Sequence, residues 1–424
     1  MNPAELPAVL GGQKTIDAPG PHFVWPPITD ETRQAVLAQL DRTISIYDKS
    51  DIFERFEGKF SRYHDRKHSL LHNSGTSAIL GMYFGLDLKP GDEVICPTYT
   101  FYASVTPMLI TGAKPVFCDC KEDGNIDPHE IEAAITDKTK AIAVTHMWGI
   151  PCDMDDIVAI ARKHNLRLVE DCSHAHGAEL GGKKVGTFGD AAAWSFQGQK
   201  TVTGGEGGIL LTNDQELHTR ALLLGHYNKR CKQEIDKSHP LYEYFLTGFG
   251  LKLRAHPLAI AIADQQFDHL EEYLRQRGEF ADYMIDELKK YDCLSMPNTQ
   301  NRKPSWYAFV MQYHSEMAHG LPLQEFYKAI LAEGLVEADR PGSTKHIHDL
   351  PLFEHPERAF PQLYPGDAET AESREFPKAK AYTEQALKFP VWSSKEDWPM
   401  VELYVAGMKK ILDNTRALAA QTLS

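Results

Sequence analysis

From residue 68 onward, short apolar runs alternate with longer stretches in which apolar residues recur every three or four positions. The runs at 68–72, 93–96, 115–118, 141–145 and 167–169 predict strands, and the stretches at 76–84, 102–110, 128–135 and 154–164 predict helices. Gly91-Asp92 and Gly112-Ala113 punctuate turns ahead of strands. Strands that alternate with helices in this way predict an α/β fold, with a mostly parallel sheet covered on both faces. Ligands of such sheets sit at the carboxyl ends of the strands.

The rhythm changes near Gly250. Pro257 opens a long helical pattern running to about 290, and proline suits a first helical turn. A strand at 306–313, a helix at 323–333, a loop-rich stretch at 340–380 and a last helix at 400–418 follow. The expectation is a large domain at 1–250 and a smaller α+β domain at 251–424. Internal repeats and low-complexity tracts are absent from the sequence.

Bulk properties narrow the function. At 424 residues the chain is too long for one ordinary core. Its 42% hydrophobic and 25% charged residues fit a soluble globular protein. A net charge of −14 without any long basic run argues against nucleic acid as a partner. Residues 1–20 lack the basic-then-apolar pattern of a signal peptide, and no apolar run is long enough to span a membrane. Seven scattered cysteines suit a reducing cytoplasm better than a disulfide scaffold. Cys118 and Cys120 form a C-x-C pair, but no second pair completes a zinc set, and they read as buried strand residues.

Chemistry concentrates at the expected strand ends. The segment from Ser195 to Gly208 reads as a strand end, a sharp turn bearing Lys200, and a glycine-rich return. Burial disfavours an ammonium, and a neutral amine attacks carbonyls to form Schiff bases. Taken alone, Lys200 reads equally well as a solvated loop lysine. Asn73-Ser74-Gly75-Thr76-Ser77 follows a strand and opens a helix, where backbone N–H groups suit an anion or where the residues serve only as a helix cap. Asp171, in Glu170-Asp171-Cys172-Ser173-His174-Ala175-His176, follows another strand. A carboxylate there suits a protonated ring nitrogen of a cofactor acting as an electron sink, or a plain cap or ion pair. His174 and His176 have no evident third metal ligand, so no metal is expected. Phe101, after Pro97-Thr98-Tyr99-Thr100, suits stacking on a flat ring or simple core packing, and Ser195 suits donation to a phosphate.

In this order the segments resemble the DegT/DnrJ/EryC1/StrS family of sugar aminotransferases, which are fold-type I pyridoxal 5'-phosphate (PLP) enzymes. The resemblance runs from Leu10-Gly11-Gly12 to about Trp392. The segments at Asn73, Pro97, His146 (His-Met-Trp-Gly-Ile-Pro-Cys-Asp-Met-Asp), Glu170 and Lys200 carry it. It implies that Lys200 forms the Schiff base with PLP and later shuttles protons, and that Asp171 holds the pyridine nitrogen. Phe101 would stack on one ring face with His174 near the other, while Gly75, Thr76 and Ser195 would bind the phosphate. Gly248-Phe249-Gly250-Leu251-Lys252-Leu253-Arg254 resembles a loop lent to a partner subunit, with Lys252 where many relatives carry Asn, so a homodimer with shared active sites is implied.

The implied reaction moves an amino group from glutamate or glutamine to a nucleotide-linked keto sugar or a keto-cyclitol, in amino-sugar or antibiotic biosynthesis. Residues 46–51 and 343–348 depart from the family's usual pattern and would line the acceptor pocket. Two alternatives stand beside this reading. One is a PLP-dependent sugar dehydratase of the same fold, which loses the lysine or adds a cysteine-held cluster. The other is a non-catalytic regulatory protein of that fold.

Overall fold

The computed structural model describes residues 5–365 and 374–422. Part of the stretch expected to be loop-rich, 366–373, lies outside the described residues.

The central sheet has seven strands: β1 (His68–His72), β2 (Glu93–Pro97), β3 (Lys114–Cys118), β4 (Thr139–Thr145), β5 (Arg167–Asp171), β6 (Ala191–Ser195) and β7 (Gly208–Thr212). Their order is β1-β7-β6-β5-β4-β2-β3. The pairings from β3 through β6 are parallel, whereas β7 runs antiparallel to both β6 and β1. This is the α/β architecture of fold-type I enzymes, with a mostly parallel sheet.

Both faces are buried, and the strand period of two divides their residues. Val94, Cys96, Ala141, Ala143 and Val169 pack with Ala78, Ile79 and Met82 of the helix Gly75–Gly85 and Leu217, Ala221 and Leu222 of the helix Gln215–Gly225. Their neighbours Ile95, Ile142, Val144 and Leu168 face the other way, toward Ile131 and Ile157. Trp194, Ile209 and Leu211 meet Phe53, Phe56 and Phe60. Those phenylalanines belong to the helix Asp51–His64, which the sequence reading passed over although their spacing is helical.

A second core gathers Phe280, Met284, Trp306, Phe309, Met311, Phe326, Leu387, Phe389, Tyr404 and Met408, with Ile16 from the N-terminal segment. Its three-stranded antiparallel sheet is built from Leu294–Ser295, Phe309–Tyr313 and Ala386–Phe389.

Several expected elements are broken, each for an identifiable reason. The helix expected at 102–110 is a 3-10 turn, Tyr102–Ser104, followed by the one-turn helix Thr106–Leu109. Pro107 has no N–H to continue a helix from the residues before it, and it suits only the first turn of a new one. The long helix expected at 257–290 is two, Pro257–Asp268 and Leu270–Leu288, meeting at His269. Phe267 serves the core under β6 and Phe280 serves the second core, so two apolar faces imitate one pattern. The strand expected at 306–313 begins only at Phe309, because Trp306 adopts φ +50° and the backbone N–H groups of Ser305 and Tyr307 bond to Gly149 and Trp148. The helix expected at 400–418 is split into Trp398–Leu412 and Thr415–Thr422. The stretch expected to be loop-rich holds the strand Thr344–His346 and the start of the helix Pro377–Gln385.

Candidate active site

The carboxyl ends of the strands bring the expected residues together. Ser195 closes β6, and the Lys200 N–H then donates to the Gln197 carbonyl across 2.8 Å, forming a tight turn. The return is shaped by Gly205 (φ +84°) and Gly207 (φ +140°) and leads into β7. The helix Gly75–Gly85 starts directly beside this turn. A Cβ on Gly75 would lie 2.5 Å from the Ser195 Cβ, and one on Gly208 would lie 2.4 Å from the Ser74 carbonyl oxygen. Only hydrogen fits at either position, so the helix start sits against Ser195. Ser74 caps the helix by accepting the Ser77 N–H, and Thr76 lies exposed in its first turn. Gly75, Thr76 and Ser195 thus surround one helix N-terminus, the part of a helix that favours anions.

Strand alternation splits the two acids at the end of β5. Glu170 turns into the protein, where it accepts the backbone N–H groups of Gly186, Phe188 and Gly189 and faces His146 Nε2 at 3.2 Å. His146 Nδ1 accepts the Cys152 N–H, so its proton is on Nε2. The ligand atoms of His146, Glu170 and Cys172 lie within 4.8 Å of one another, but this hydrogen-bond network already occupies the first two. Asp171 takes the opposite direction. Its Oδ2 accepts from the Ser104 hydroxyl at 2.6 Å, and its Oδ1 accepts the Ser173 N–H at 2.9 Å. Thr100 Oγ1 donates in turn to Ser104.

The surroundings of Lys200 shift its amine. Burial lowers its pKa to about 8, while the Asp171 carboxylate pulls it upward and Lys388 pushes it down. Its Nζ lies 4.4 Å above the ring of Tyr307. Tyr307 stacks on His174 with centroids 4.0 Å apart and an interplanar angle of 13°, and Trp148 lies parallel to both. His174 is buried, its Nδ1 has no partner among the described residues, and burial lowers its pKa well below the usual histidine value. Phe101 is half-buried and lies against Tyr102 at 4.2 Å. Its strand, Tyr99–Phe101, pairs with Thr344–His346, so the divergent segment 343–348 runs beside it.

Lys252 is the expected residue that stays apart. It is exposed, lies 5.7 Å over the Tyr227 ring, and makes no ion pair among the described residues. Its neighbour Leu253 accepts the Asn73 N–H at 2.6 Å.

The sequence reading missed Ser104 and Tyr307, and it quoted Trp148 within the His146 segment without giving it a role. A serine inside an apolar run was the one signal for Ser104. Tyr307 was hidden within the strand expected at 306–313.

The amine, carboxylate and helix N-terminus fit one ring-bearing phosphate cofactor. Gly75 and Gly208 let the helix start pack tightly against the ends of β6 and β7, placing its first N–H groups beside Ser195, and Asp171 keeps unused lone-pair directions after its two hydrogen bonds. Such a site on a fold-type I scaffold fits an enzyme of the PLP-dependent class.

Comparison with known proteins agrees. Residues 27–400 match the DegT/DnrJ/EryC1/StrS aminotransferase family, and the chain belongs to that family. It is 37% identical to a GDP-perosamine synthase of Escherichia coli O157:H7 over 61% of this chain and 68% of that protein. It is 32% identical to a putative L-glutamine:3-amino-2,3-dideoxy-scyllo-inosose aminotransferase of Micromonospora echinospora, over 77% of this chain and 78% of the relative. The solved aminotransferase from Psychrobacter cryohalolentis superposes with a TM-score of 0.81 at 29% identity, covering 93% of this chain and 100% of that one.

Proposed function

We propose that this aminotransferase uses PLP at Lys200 to move an amino group from glutamate or glutamine to a ketone on a sugar-like acceptor, either a nucleotide-linked keto sugar or a keto-cyclitol. The carrying observation is the desolvated Lys200 amine, with a pKa of about 8, within the field of the Asp171 carboxylate at the strand ends. The relatives named for perosamine and for an amino-inosose support an acceptor of this kind. When bound, PLP supplies a carbonyl for the incoming amine and a ring that absorbs negative charge.

The chain's own residues do the rest. Asp171 is fixed by Ser104 and Ser173 and keeps the ring nitrogen protonated. Gly75, Thr76 and Ser195 hold the phosphate, with the helix start favouring its charge. Phe101 and His174 would contact the ring. Lys200, once free, would take the α-proton of the donor as general base and give it up again as general acid, a role its lowered pKa suits. Residues 343–348, beside Phe101, face the acceptor.

We also read the enzyme as a cytoplasmic homodimer in which Lys252 serves the partner's phosphate. Exposed Leu246, Leu251, Leu37, Leu40 and Ile44 supply apolar surface for such pairing. No described helix is long and apolar enough to cross a membrane.

The test is the absorbance of the purified protein with PLP, before and after L-glutamate and then L-glutamine. The expected result is a visible band that one donor removes, that a keto sugar or keto-cyclitol restores, and that Lys200→Ala lacks. A band that neither donor removes would refute the donor assignment.

A further inference from the structure

The turn carrying Lys200 is braced from outside the cofactor site. Arg277, on the helix Leu270–Leu288, is 1% exposed. Its Nη1 donates to Thr201 Oγ1 at 3.1 Å and to the Trp306 carbonyl at 3.0 Å, and its Nε donates to Ser393 Oγ at 2.7 Å. No carboxylate pairs with it among the described residues. Its guanidinium lies 4.4 Å from the centre of the Trp25 ring. Trp25 Nε1 in turn donates to the Lys200 carbonyl at 2.8 Å.

A buried guanidinium facing only neutral oxygens and an indole carries a desolvation cost that a mere space-filler would avoid. Its partners explain its retention. Thr201 and, through Trp25, the Lys200 carbonyl belong to the peptide that carries the amine. Trp306 immediately precedes Tyr307, whose ring lies under the Lys200 Nζ. Arg277 therefore touches the side chain next to Lys200, reaches the Lys200 backbone through Trp25, and directly holds the backbone of the platform beneath the amine. A planar fork of donors can reach all these acceptors at once, which a lysine cannot.

We propose that Arg277 is a positioning residue for the reaction: together with Trp25 it locks the Lys200 turn to the Trp306–Tyr307 backbone, fixing where the amine stands relative to the ring it serves. This rests on Lys200 being the cofactor-linked lysine.

The test compares full-length wild type, Arg277→Met, Arg277→Lys, Thr201→Val and Lys200→Ala. Three readouts are used: hydrogen exchange of the amides at 197–205 in protein without cofactor, the absorbance spectrum after PLP loading, and the single-turnover rate of the loaded protein with amino-acid donor. In Arg277→Met we expect exchange at least about tenfold faster and a half-reaction about 10²-fold slower, with the donor KM moving less than about threefold, as for a misplaced group rather than a lost binding contact. Arg277→Lys should fall between that variant and wild type, and Thr201→Val should lose about tenfold in rate. A folded Arg277→Met with wild-type exchange and rate overturns the proposal. If that variant fails to fold, an unchanged Thr201→Val overturns it instead. Failure of the underlying reading looks different: wild type and Lys200→Ala would then give the same spectrum, while the exchange readout would still report on the brace.

Discussion

Ser104 Oγ stands 2.6 Å from Asp171 Oδ2, at the point where Thr100 passes a hydrogen bond on to it. The hydroxyl donates to a carboxylate, so the bond is charge-assisted and holds the acid in place. Ser104→Ala should remove about 1.5–3 kcal/mol of that support. The expected outcome is a first half-reaction slower by about tenfold or more, with protein stability changed far less. Stopped-flow absorbance with saturating donor checks this.

Lys200 sets a pH limb. Its pKa is lowered to about 8, so below that value the amine is protonated and cannot act as base. The step in which free Lys200 abstracts a proton should quicken as pH rises and level off above about 8. Lys200→Ala should slow turnover by about 10³-fold or more. An externally added primary amine should restore part of the rate, with a pH limb that follows the added amine's own pKa.

Gly75 tests the anion seat. An added methyl would meet the Ser195 Cβ at 2.5 Å, and the helix start must then move away from β6. Gly75→Ala should cost about 1–3 kcal/mol of stability and weaken PLP binding more than the binding of a phosphate-free analogue. Fluorescence titration with both compounds separates the two effects.

Burial of neutral imidazoles should make the protein acid-labile. His64 is lowered to about 4, and His72 and His218 to about 3, in each case chiefly by desolvation. An unfolded histidine titrates near 6.5, so between that pH and the folded values the unfolded chain holds more protons. Stability from these residues is complete above pH 6.5 and drains away as pH falls below it, by about 2 kcal/mol per histidine at pH 5. Urea midpoints at pH 7 and pH 5 should differ strongly, and His72→Leu should narrow the gap.

Much of this site was legible before any coordinates. Lys200, Asp171, Gly75 and Ser195 each end or follow a strand marked by a short apolar run, and a run of that kind needs only local pattern to be read. What stayed hidden depended on tertiary contact. Arg277 sits in an unbroken helical pattern, and only the fold shows that His269 divides that pattern between two cores. Tyr307 looked like strand because its neighbours are apolar and β-branched or aromatic. Its backbone is instead claimed by Trp148, 159 positions away in the chain, a pairing that no local preference encodes.

The antiparallel pairing of β6 with β7 has a consequence for how the enzyme is assembled. Ser195 and Gly208 are directly opposed, so Lys200 rides on the connection between adjacent strands that are neighbours in sequence. That connection is shorter than those joining the parallel neighbours that follow one another in sequence, and a shorter loop costs less chain entropy to close. Of the connections between consecutive sheet neighbours, the one bearing Lys200 thus has the shortest loop to close, while Asp171, Ser104 and Tyr307 reach it only through contacts distant in sequence.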